Sequence, residues 1–297
     1  MKLIGYDNPI NEIQRQWSGE NIIYHYTTLK IAFEHILPSG QIKFNKLENT
    51  DDPLEYKELL LSSSYWGERD LDVIDDEIQK AQERIRDLRK SVYQVACFST
   101  NLWPRIDQSS IRPTMNQLGC TRSRMWSQYG DGHKGIVLVF DKDKFLVRLS
   151  ECIENPERNV LHRYVDYSYQ DFNRSNNING NDIERDGIEA YCSKYIHKHA
   201  DDLFFSKNLD YRDENEYRFV VKSDEYPFYL SFKDSLIGLV VGDRFPGGHF
   251  PNLLYYSDFY KIPCTKIHWE NGIPLLIDFD VRDKDGKQVV FTSNNEE

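Results

Sequence analysis

The residues best suited to chemistry lie in one short segment, residues 125–138. Trp126 and Tyr129 offer flat rings for a planar ligand. Hydrogen-bond donors, acceptors and charge come from the polar residues of the segment: Ser127, Gln128, Asp131, His133 and Lys134. An apolar run after Gly135 predicts a core strand over residues 136–140. Loops at the ends of rigid strands commonly hold binding sites. The segment therefore predicts either a ligand-binding loop or an aromatic-anchored turn in front of a core strand.

Two further segments carry polar residues on predicted strands. His25 could donate a hydrogen bond to a ligand oxygen while Thr27 supports it; the alternative is a half-buried histidine followed by a helix-capping threonine. Glu216 and Arg218 lie two residues apart on a strand and therefore share one face. They indicate either a charged pair in a cleft or an exposed Glu–Arg ladder.

The elements that must position these residues are mostly strands, without the strand–helix alternation of a doubly wound fold. We therefore expect an α+β protein with a central, mainly antiparallel sheet. It should form a single domain over residues 1–297, with its core at 21–243 and helical insertions around 54–92 and 187–205. Residues 171–186, rich in Asn and Asp, are predicted to form a mobile surface loop. The predicted strands cover residues 21–26, 41–45, 92–99, 136–140, 161–169, 216–222, 226–232 and 236–242, with more near 275–280.

Composition narrows the function classes. A net charge of -11 argues against a broad electrostatic footprint on nucleic acid or membrane, although a local basic cleft stays open. Five scattered cysteines without Cys-x-x-Cys spacing predict free thiols in a reducing cytoplasm. The N-terminal residues lack a signal-peptide pattern, and no apolar run reaches the roughly 18 residues of a membrane span. His197 and His199 do not share a helix face, which disfavours a metal site.

Taken together, the segments resemble the uncharacterised bacterial family called domain of unknown function 2971. The resemblance runs from about residue 21 to 243 and implies little chemistry by itself. It rests on five motifs. The first three are a Tyr-x-Tyr/His-Thr/Ser strand at 24–27, a Leu-x-Asn-x-x-Asp-Pro turn at 47–53 and a Cys-Phe-Ser strand at 97–99. The other two are a Met-Trp-Ser-x-Tyr-x-x-x-His-x-Gly block at 125–135 and a Lys…Glu-x-Glu-Tyr/Trp-Arg ending at Lys207 and 214–218.

The chain also resembles, more loosely, the ADP-ribosyltransferases, which open with a strand ending in His-x-Ser/Thr followed by a helix. This resemblance implies a split β-sandwich with peripheral helices. It implies that His25, with Thr27, anchors the ribose and carboxamide of NAD. Tyr129 or Trp126 would stack on nicotinamide. Glu216 would hydrogen-bond the ribose 2′-hydroxyl and stabilise an oxocarbenium-like transition state, with Arg218 beside it in the cofactor-binding set.

The resemblance predicts an enzyme that uses NAD as its substrate, needs no metal, and either transfers ADP-ribose to a nucleic acid or protein or hydrolyses NAD. A bacterial toxin–antitoxin or phage-defence setting would fit. Two alternatives stay open: a nucleotide sensor without turnover, and a nucleic-acid-processing enzyme that uses His25, His133, Lys134 and Arg218 on phosphates. The transferase prediction requires His25, Glu216 and one of the two rings to share a cleft. It also predicts that Glu216→Gln keeps the fold but loses turnover, whereas Glu214→Gln matters less.

Overall fold

The computed structural model describes residues 9–50, 52–56, 61–102, 115–168, 177–223 and 225–277. Fifteen strands lie within these residues: β1 (Ile22–Thr27), β2 (Gln41–Lys43), β3 (Asn45–Lys46), β4 (Ser62–Ser64), β5 (Tyr93–Thr100), β6 (Ile136–Asp141), β7 (Val160–Tyr164), β8 (Asp166–Ser168), β9 (Asn177–Asn179), β10 (Ser206–Asn208), β11 (Glu216–Lys222), β12 (Tyr229–Ser231), β13 (Leu236–Val241), β14 (Cys264–Glu270) and β15 (Ile273–Ile277).

The helices surround these strands. They are α1 (Pro9–Trp17), α2 (Leu29–Ile31), α3 (Leu37–Ser39), α4 (Pro53–Tyr56), α5 (Leu71–Asp87), α6 (Ser123–Gln128), α7 (Lys142–Cys152), α8 (Pro156–Asn159), α9 (Gly180–Asp186), α10 (Ile188–Lys198), α11 (Ala200–Phe204) and α12 (Phe250–Tyr260). A π turn joins α2 to α3, and another continues α5. Nowhere in the described ranges is a helix both long enough and apolar enough to span a membrane.

The main sheet has nine strands in the order β15-β14-β13-β6-β1-β5-β11-β7, and β3 also pairs with β5. Its neighbours are antiparallel except β13 and β14. The expectation of an α+β protein with a mainly antiparallel sheet is therefore confirmed. Three further pairs, β8 with β10, β2 with β12 and β4 with β9, lie outside this sheet.

One edge of β5 is shared between two strands. β1 pairs with it only at Tyr24↔Ser99 and Ile23↔Thr100, whereas β3 pairs near its other end, at Asn45↔Val95. β1 itself continues along β6 as far as Thr27. The sheet therefore opens between β1 and β5 beyond Tyr24, next to His25.

Both faces of β11 are buried. Tyr217, Phe219 and Val221 pack into one apolar cluster, as the alternation predicts. Val220 packs into a second cluster that contains α5 and α10 residues, and Glu216 and Arg218 on the same face are buried too. The alternative of an exposed Glu–Arg ladder is therefore wrong.

A close backbone approach fixes the turn that precedes β6. A Cβ on Gly135 would lie 2.2 Å from the backbone oxygen of Thr27, so only glycine lets this turn pack against β1. Asp131, Gly132 and His133, just before it, have φ values of 52°, 59° and 71°, in the left-handed region. The turn brings the end of α6, and with it Tyr129, alongside β1.

Several predicted elements need correction. The helix predicted over 54–92 is divided into α4, β4 and α5, with residues 57–60 outside the described ranges. Residues 177–186, predicted as a loop, form β9 and α9, because β9 pairs with β4 and α9 packs against α5; residues 169–176 are not described. The strand predicted over 161–169 breaks into β7 and β8 at Val165. Residues 275–277 belong to β15, and residues 278–280 lie outside the described part.

Candidate functional site

A cavity of about 210 Å³ lies where β1 and β5 separate. Its wall is formed by β1, β5, the residues that follow β3, the end of α6, and the segment from β10 to the start of β11. His25, Tyr129 and Glu216 all line it. The structure thus brings one residue from each of the three segments singled out in the sequence to a single cavity.

Arg218 holds the carboxylate of Glu216 in place. The Arg218 guanidinium donates from Nε to Oε1 at 2.6 Å and from Nη2 to Oε2 at 3.0 Å, and both side chains are buried. Arg218 Nη1 also donates to the backbone oxygen of Phe204 at 2.6 Å. Bidentate pairing of this kind fixes both the distance and the plane of a carboxylate. Glu216 is therefore a rigidly oriented anion on the cavity wall.

A second carboxylate, that of Glu55, also lies next to the Arg218 guanidinium. Glu55, which follows the Leu-x-Asn-x-x-Asp-Pro turn, lies with Oε1 2.6 Å from Arg218 Nη2 and is buried. Within the described residues neither oxygen of Glu55 receives a hydrogen bond of good geometry, so the contact is an ion pair by distance alone. Glu55 thus contributes negative charge next to Arg218.

Lys207, on β10, connects the carboxylates at the cavity. Its Nζ donates to Glu214 Oε2 at 2.5 Å and lies 3.1 Å from Glu216 Oε2. The Tyr129 hydroxyl donates to the other oxygen of Glu214 at 2.6 Å. Glu214 lines the cavity as well, although the sequence predicts a smaller role for it than for Glu216.

The turn between the two glutamates is fixed by Asn215. This residue has φ 43°, a left-handed conformation that asparagine tolerates. Its side-chain amide donates to Thr100 Oγ1 at 2.7 Å and to the backbone oxygens of Thr100 and Asn101 at 3.1 Å. The start of β11 is thereby fastened to the end of β5, which keeps both glutamates at the opening.

The two cavity glutamates differ in protonation. Burial alone would raise the pKa of Glu216, but the charges of Arg218 and Lys207 outweigh it and lower the pKa to about 2. Burial raises the pKa of Glu214, with the charge of Glu216 adding to the effect, while Lys207 and Tyr129 act in the opposite direction. Pairs of carboxyls whose environments separate their pKa values suit different roles in acid–base chemistry. Glu216 is a fixed charge, and Glu214 is the better proton acceptor.

The tautomer of His25 follows from its partner. Nδ1 lies 3.3 Å from the backbone oxygen of Cys97, which can only accept, so Nδ1 carries the hydrogen. Burial lowers the pKa of His25, although the Cys97 hydrogen bond opposes this, and the ring is neutral at pH 7. Nε2 is then an acceptor. The expected donation from His25 to a ligand oxygen is reversed: this nitrogen would accept from a ligand hydroxyl.

Three other predicted ligand contacts do not line the cavity. Trp126 is fully buried in an apolar cluster, and its indole N–H donates to the backbone oxygen of Cys120 at 2.8 Å. Thr27 is buried and lies beyond the wall, and Arg218 sits behind Glu216. Of the two candidate rings, only Tyr129 lines the cavity, because Trp126 packs into the apolar cluster instead.

The residues proposed for phosphate chemistry are not brought together. His133 and Lys134 lie outside the cavity wall, with the His133 ring stacked on Trp126 and edge-on to Trp269. Arg218 is engaged by two carboxylates. This arrangement gives no support to a phosphate-handling site.

Sequence reasoning assigned no role to Lys207, Glu214 or Glu55. The available signal was the motif that contains Lys207 and Glu214, and the turn motif that ends two residues before Glu55. Lys207 contacts Glu214 and Glu216 within ten residues of chain, whereas the ion pair of Glu55 with Arg218 joins residues more than 150 apart, which spacing alone does not show. Among the described residues no group of three or more His, Cys, Asp or Glu side chains is arranged to hold a metal ion.

Comparison with known proteins found a family match over part of the chain. A family model described as "Protein of unknown function (DUF2971)" matches residues 125–219, about a third of the chain. The predicted resemblance to this family is confirmed over that segment, which contains Tyr129, Lys207, Glu214 and Glu216. Comparison with curated proteins and with solved structures found no match.

Proposed function

We propose that this protein is an NAD-dependent enzyme of the ADP-ribosyltransferase type, which breaks the nicotinamide–ribose bond and passes ADP-ribose to an acceptor or to water. The observation that carries the proposal is the presence of His25, Tyr129 and Glu216 around one cavity. The opening between β1 and β5 in a mainly antiparallel sheet supports the finer fold proposal of a split β-sandwich.

The charge of Glu216 suits this reaction. When the bond between nicotinamide and ribose breaks, its electron pair leaves on the nicotinamide nitrogen and positive charge develops on the sugar. A preorganised carboxylate stabilises that charge more strongly in the transition state than in the ground state. The low pKa of Glu216 keeps it ionised at any physiological pH, and Arg218 prevents it from turning away.

Glu214 suits the second half of the reaction. In hydrolysis, a water oxygen bonds to the ribose carbon and must lose a proton. A carboxylate whose pKa is raised is a better acceptor of that proton than one with an ordinary pKa. The Tyr129 hydroxyl keeps the Glu214 carboxylate oriented, and the Tyr129 ring offers an aromatic surface to nicotinamide.

The volume of the cavity defines which part of NAD it accepts. Ligand pockets usually measure about 300–1,000 Å³, whereas this one measures about 210 Å³. We infer that the nicotinamide–ribose end enters and that the adenylate end lies outside. The interior is acidic, which favours a cationic pyridinium ring over a phosphate.

The cellular role extends the same proposal. Five unpaired cysteines fit a reducing cytoplasm. An enzyme that consumes NAD or modifies a macromolecule would serve in a bacterial toxin–antitoxin or phage-defence system. The acceptor would be a nucleic acid or a protein.

A nucleotide sensor without turnover is the second candidate. It is favoured by one observation: both oxygens of Glu216 already accept hydrogen bonds or ion pairs from Arg218 and Lys207. A carboxylate occupied in this way could serve only to fix the charge of a binding pocket.

The deciding experiment incubates purified protein with NAD and measures free nicotinamide by liquid chromatography, with candidate protein and nucleic-acid acceptors added in parallel. We expect release by the wild type and a loss of about 100- to 1000-fold in the Glu216→Gln variant. Glu48→Gln, an exposed carboxylate on the neighbouring turn, is the matched control and should keep full activity. Binding of NAD by the wild type without any release would favour the sensor instead.

A further inference from the structure

Lys207 differs in charge from the other residues that line the cavity. It is the one Lys or Arg side chain that the described residues contribute to the lining. Only 8% of its side chain is exposed, and its Nζ lies 5.2 Å from the centre of the Tyr211 ring. A buried ammonium is costly unless it is paired, and here it is paired with the two cavity glutamates.

The two glutamates depend on Lys207 to different degrees. Glu216 would keep the bidentate hydrogen bonds from Arg218 if Lys207 were removed. Among the described residues, Glu214 would keep only the neutral Tyr129 hydroxyl as a donor. Because like charges close together oppose each other's ionisation, the loss of the ammonium between them would act mainly on Glu214.

We propose that Lys207 is the positioning residue of this site, holding the carboxylates of Glu214 and Glu216 together on one wall so that both face the ligand. This inference rests on the proposed function for its catalytic consequence. Its structural part stands on the two contacts of Nζ. Burial would lower the pKa of Lys207, but the charges of Glu216 and Glu55 raise it well above the usual lysine value. Lys207 therefore stays charged and acts by position rather than by proton transfer.

The first test is chemical rescue. Lys207→Ala removes the ammonium and leaves space for a small amine. We expect its nicotinamide release to fall about 100-fold or more. Added ethylammonium should restore release at least tenfold, because it supplies both charge and N–H donors, whereas tetramethylammonium, which has charge but no N–H, should not. A Lys207→Ala variant with turnover within threefold of wild type would overturn the proposal, and so would equal rescue by both cations.

Lys207→Arg is the control for the case in which Lys207→Ala fails to fold. It keeps the charge and the donors, so it should fold and keep more turnover than Lys207→Met, which has a similar chain length without charge. If Lys207→Met and Lys207→Arg behave alike, the ammonium is not what matters and the positioning role is excluded.

A second test uses no substrate. The melting temperatures of wild type and Lys207→Met are compared from pH 8 to pH 4. The ammonium stabilises only ionised glutamates, so the deficit of Lys207→Met should be largest at pH 8. It should shrink as pH falls through the raised pKa of Glu214. A constant deficit would indicate packing alone and refute the inference. If the wild type releases no nicotinamide, the proposed function fails, while this result still decides the role of Lys207.

Discussion

Replacing Glu216 by glutamine tests whether the buried ion-pair cluster is formed as the structure describes. Glutamine keeps the size of the side chain and one accepting oxygen. It replaces the second oxygen with an amide that faces two donors, Arg218 Nη2 and Lys207 Nζ. The buried Arg218 would then have only Glu55 as an anionic partner. The sequence alone predicts that this variant keeps the fold, but these contacts lead us to expect a clear loss of stability.

Two routes give the size of the effect. Breaking a buried ion pair by removing one partner typically costs about 3–5 kcal/mol. Independently, a carboxyl with a pKa of about 2 in the fold and about 4.3 in an unfolded chain contributes about 3 kcal/mol at neutral pH. For a protein of this size roughly 2 °C of melting temperature is lost per kcal/mol. We therefore expect Glu216→Gln to melt about 6–10 °C below wild type at pH 7.

The assay is thermal unfolding followed by circular dichroism at several pH values. Because the folded pKa of Glu216 is lowered, its contribution is present above the unfolded pKa and is lost as pH falls from about 4 toward about 2. The gap between variant and wild type should therefore narrow in that range. Glu48→Gln, whose ion pair with Lys46 is long and exposed, should melt within about 2 °C of wild type. A Glu216→Gln protein that melts with wild type at pH 7 would show that Glu216 is not paired with Arg218 as described.

Three further predictions concern neighbouring residues. Tyr129→Phe removes the hydroxyl that donates to Glu214, so it should lower the free energy of unfolding by about 1.5–3 kcal/mol and raise the pKa of the Glu214 carboxyl. NMR titration of the carboxyl carbon measures that pKa, and an unchanged value would contradict the contact. Gly135→Ala puts a Cβ 2.2 Å from a backbone oxygen and should lower the urea midpoint markedly, whereas Gly248→Ala, which meets nothing within 4 Å, should cost less than about 0.5 kcal/mol. Trp126→Phe should destabilise by roughly 1–3 kcal/mol through its lost indole N–H, yet calorimetry should find NAD affinity unchanged; weakened affinity at equal stability would return Trp126 to the site.

The sheet was predictable where apolar runs are continuous. The strands predicted over 92–99, 136–140 and 236–242 correspond to β5, β6 and β13, which are largely buried on both faces, and a continuous apolar run predicts such a strand from composition alone. The helix predicted over 54–92 failed because β4 consists of three serines with no strand signal of their own. β4 exists because it pairs with β9, which lies more than 100 residues later. Helices α7 and α12 and strand β14 were not predicted, and each is fixed by packing against the sheet.

Several residues of the candidate site could be predicted from the sequence, but the contacts between them could not. His25, Tyr129 and Glu216 were found because each stands in a short motif near a strand end. Whether Trp126 or Tyr129 faces the cavity depends on the rotation of α6, which the sequence does not fix. The hydrogen-bonding sense of His25 depends on the Cys97 carbonyl across the opening. Contacts between segments distant in the chain decide each of these points.

Under the proposed function, the buried charges behind the cavity serve ligand binding rather than the fold. Replacing a buried ion pair by well-packed apolar residues is often neutral or stabilising, and Val220 fills the next position on the same face of β11 without any charge. A chain that needed only to hold β11 in place could have used apolar residues at 216 and 218 as well. Instead, Arg218 is surrounded by Glu216 and Glu55, and Lys207 binds the two glutamates that face the opening. Arg218 and Glu55, which lie farther from the cavity, make it possible to keep the Glu216 carboxylate ionised at the cavity wall. Solvent alone would not orient this carboxylate. Stability and activity should therefore change together in every variant of this cluster, and turnover must be compared at temperatures where each variant is fully folded.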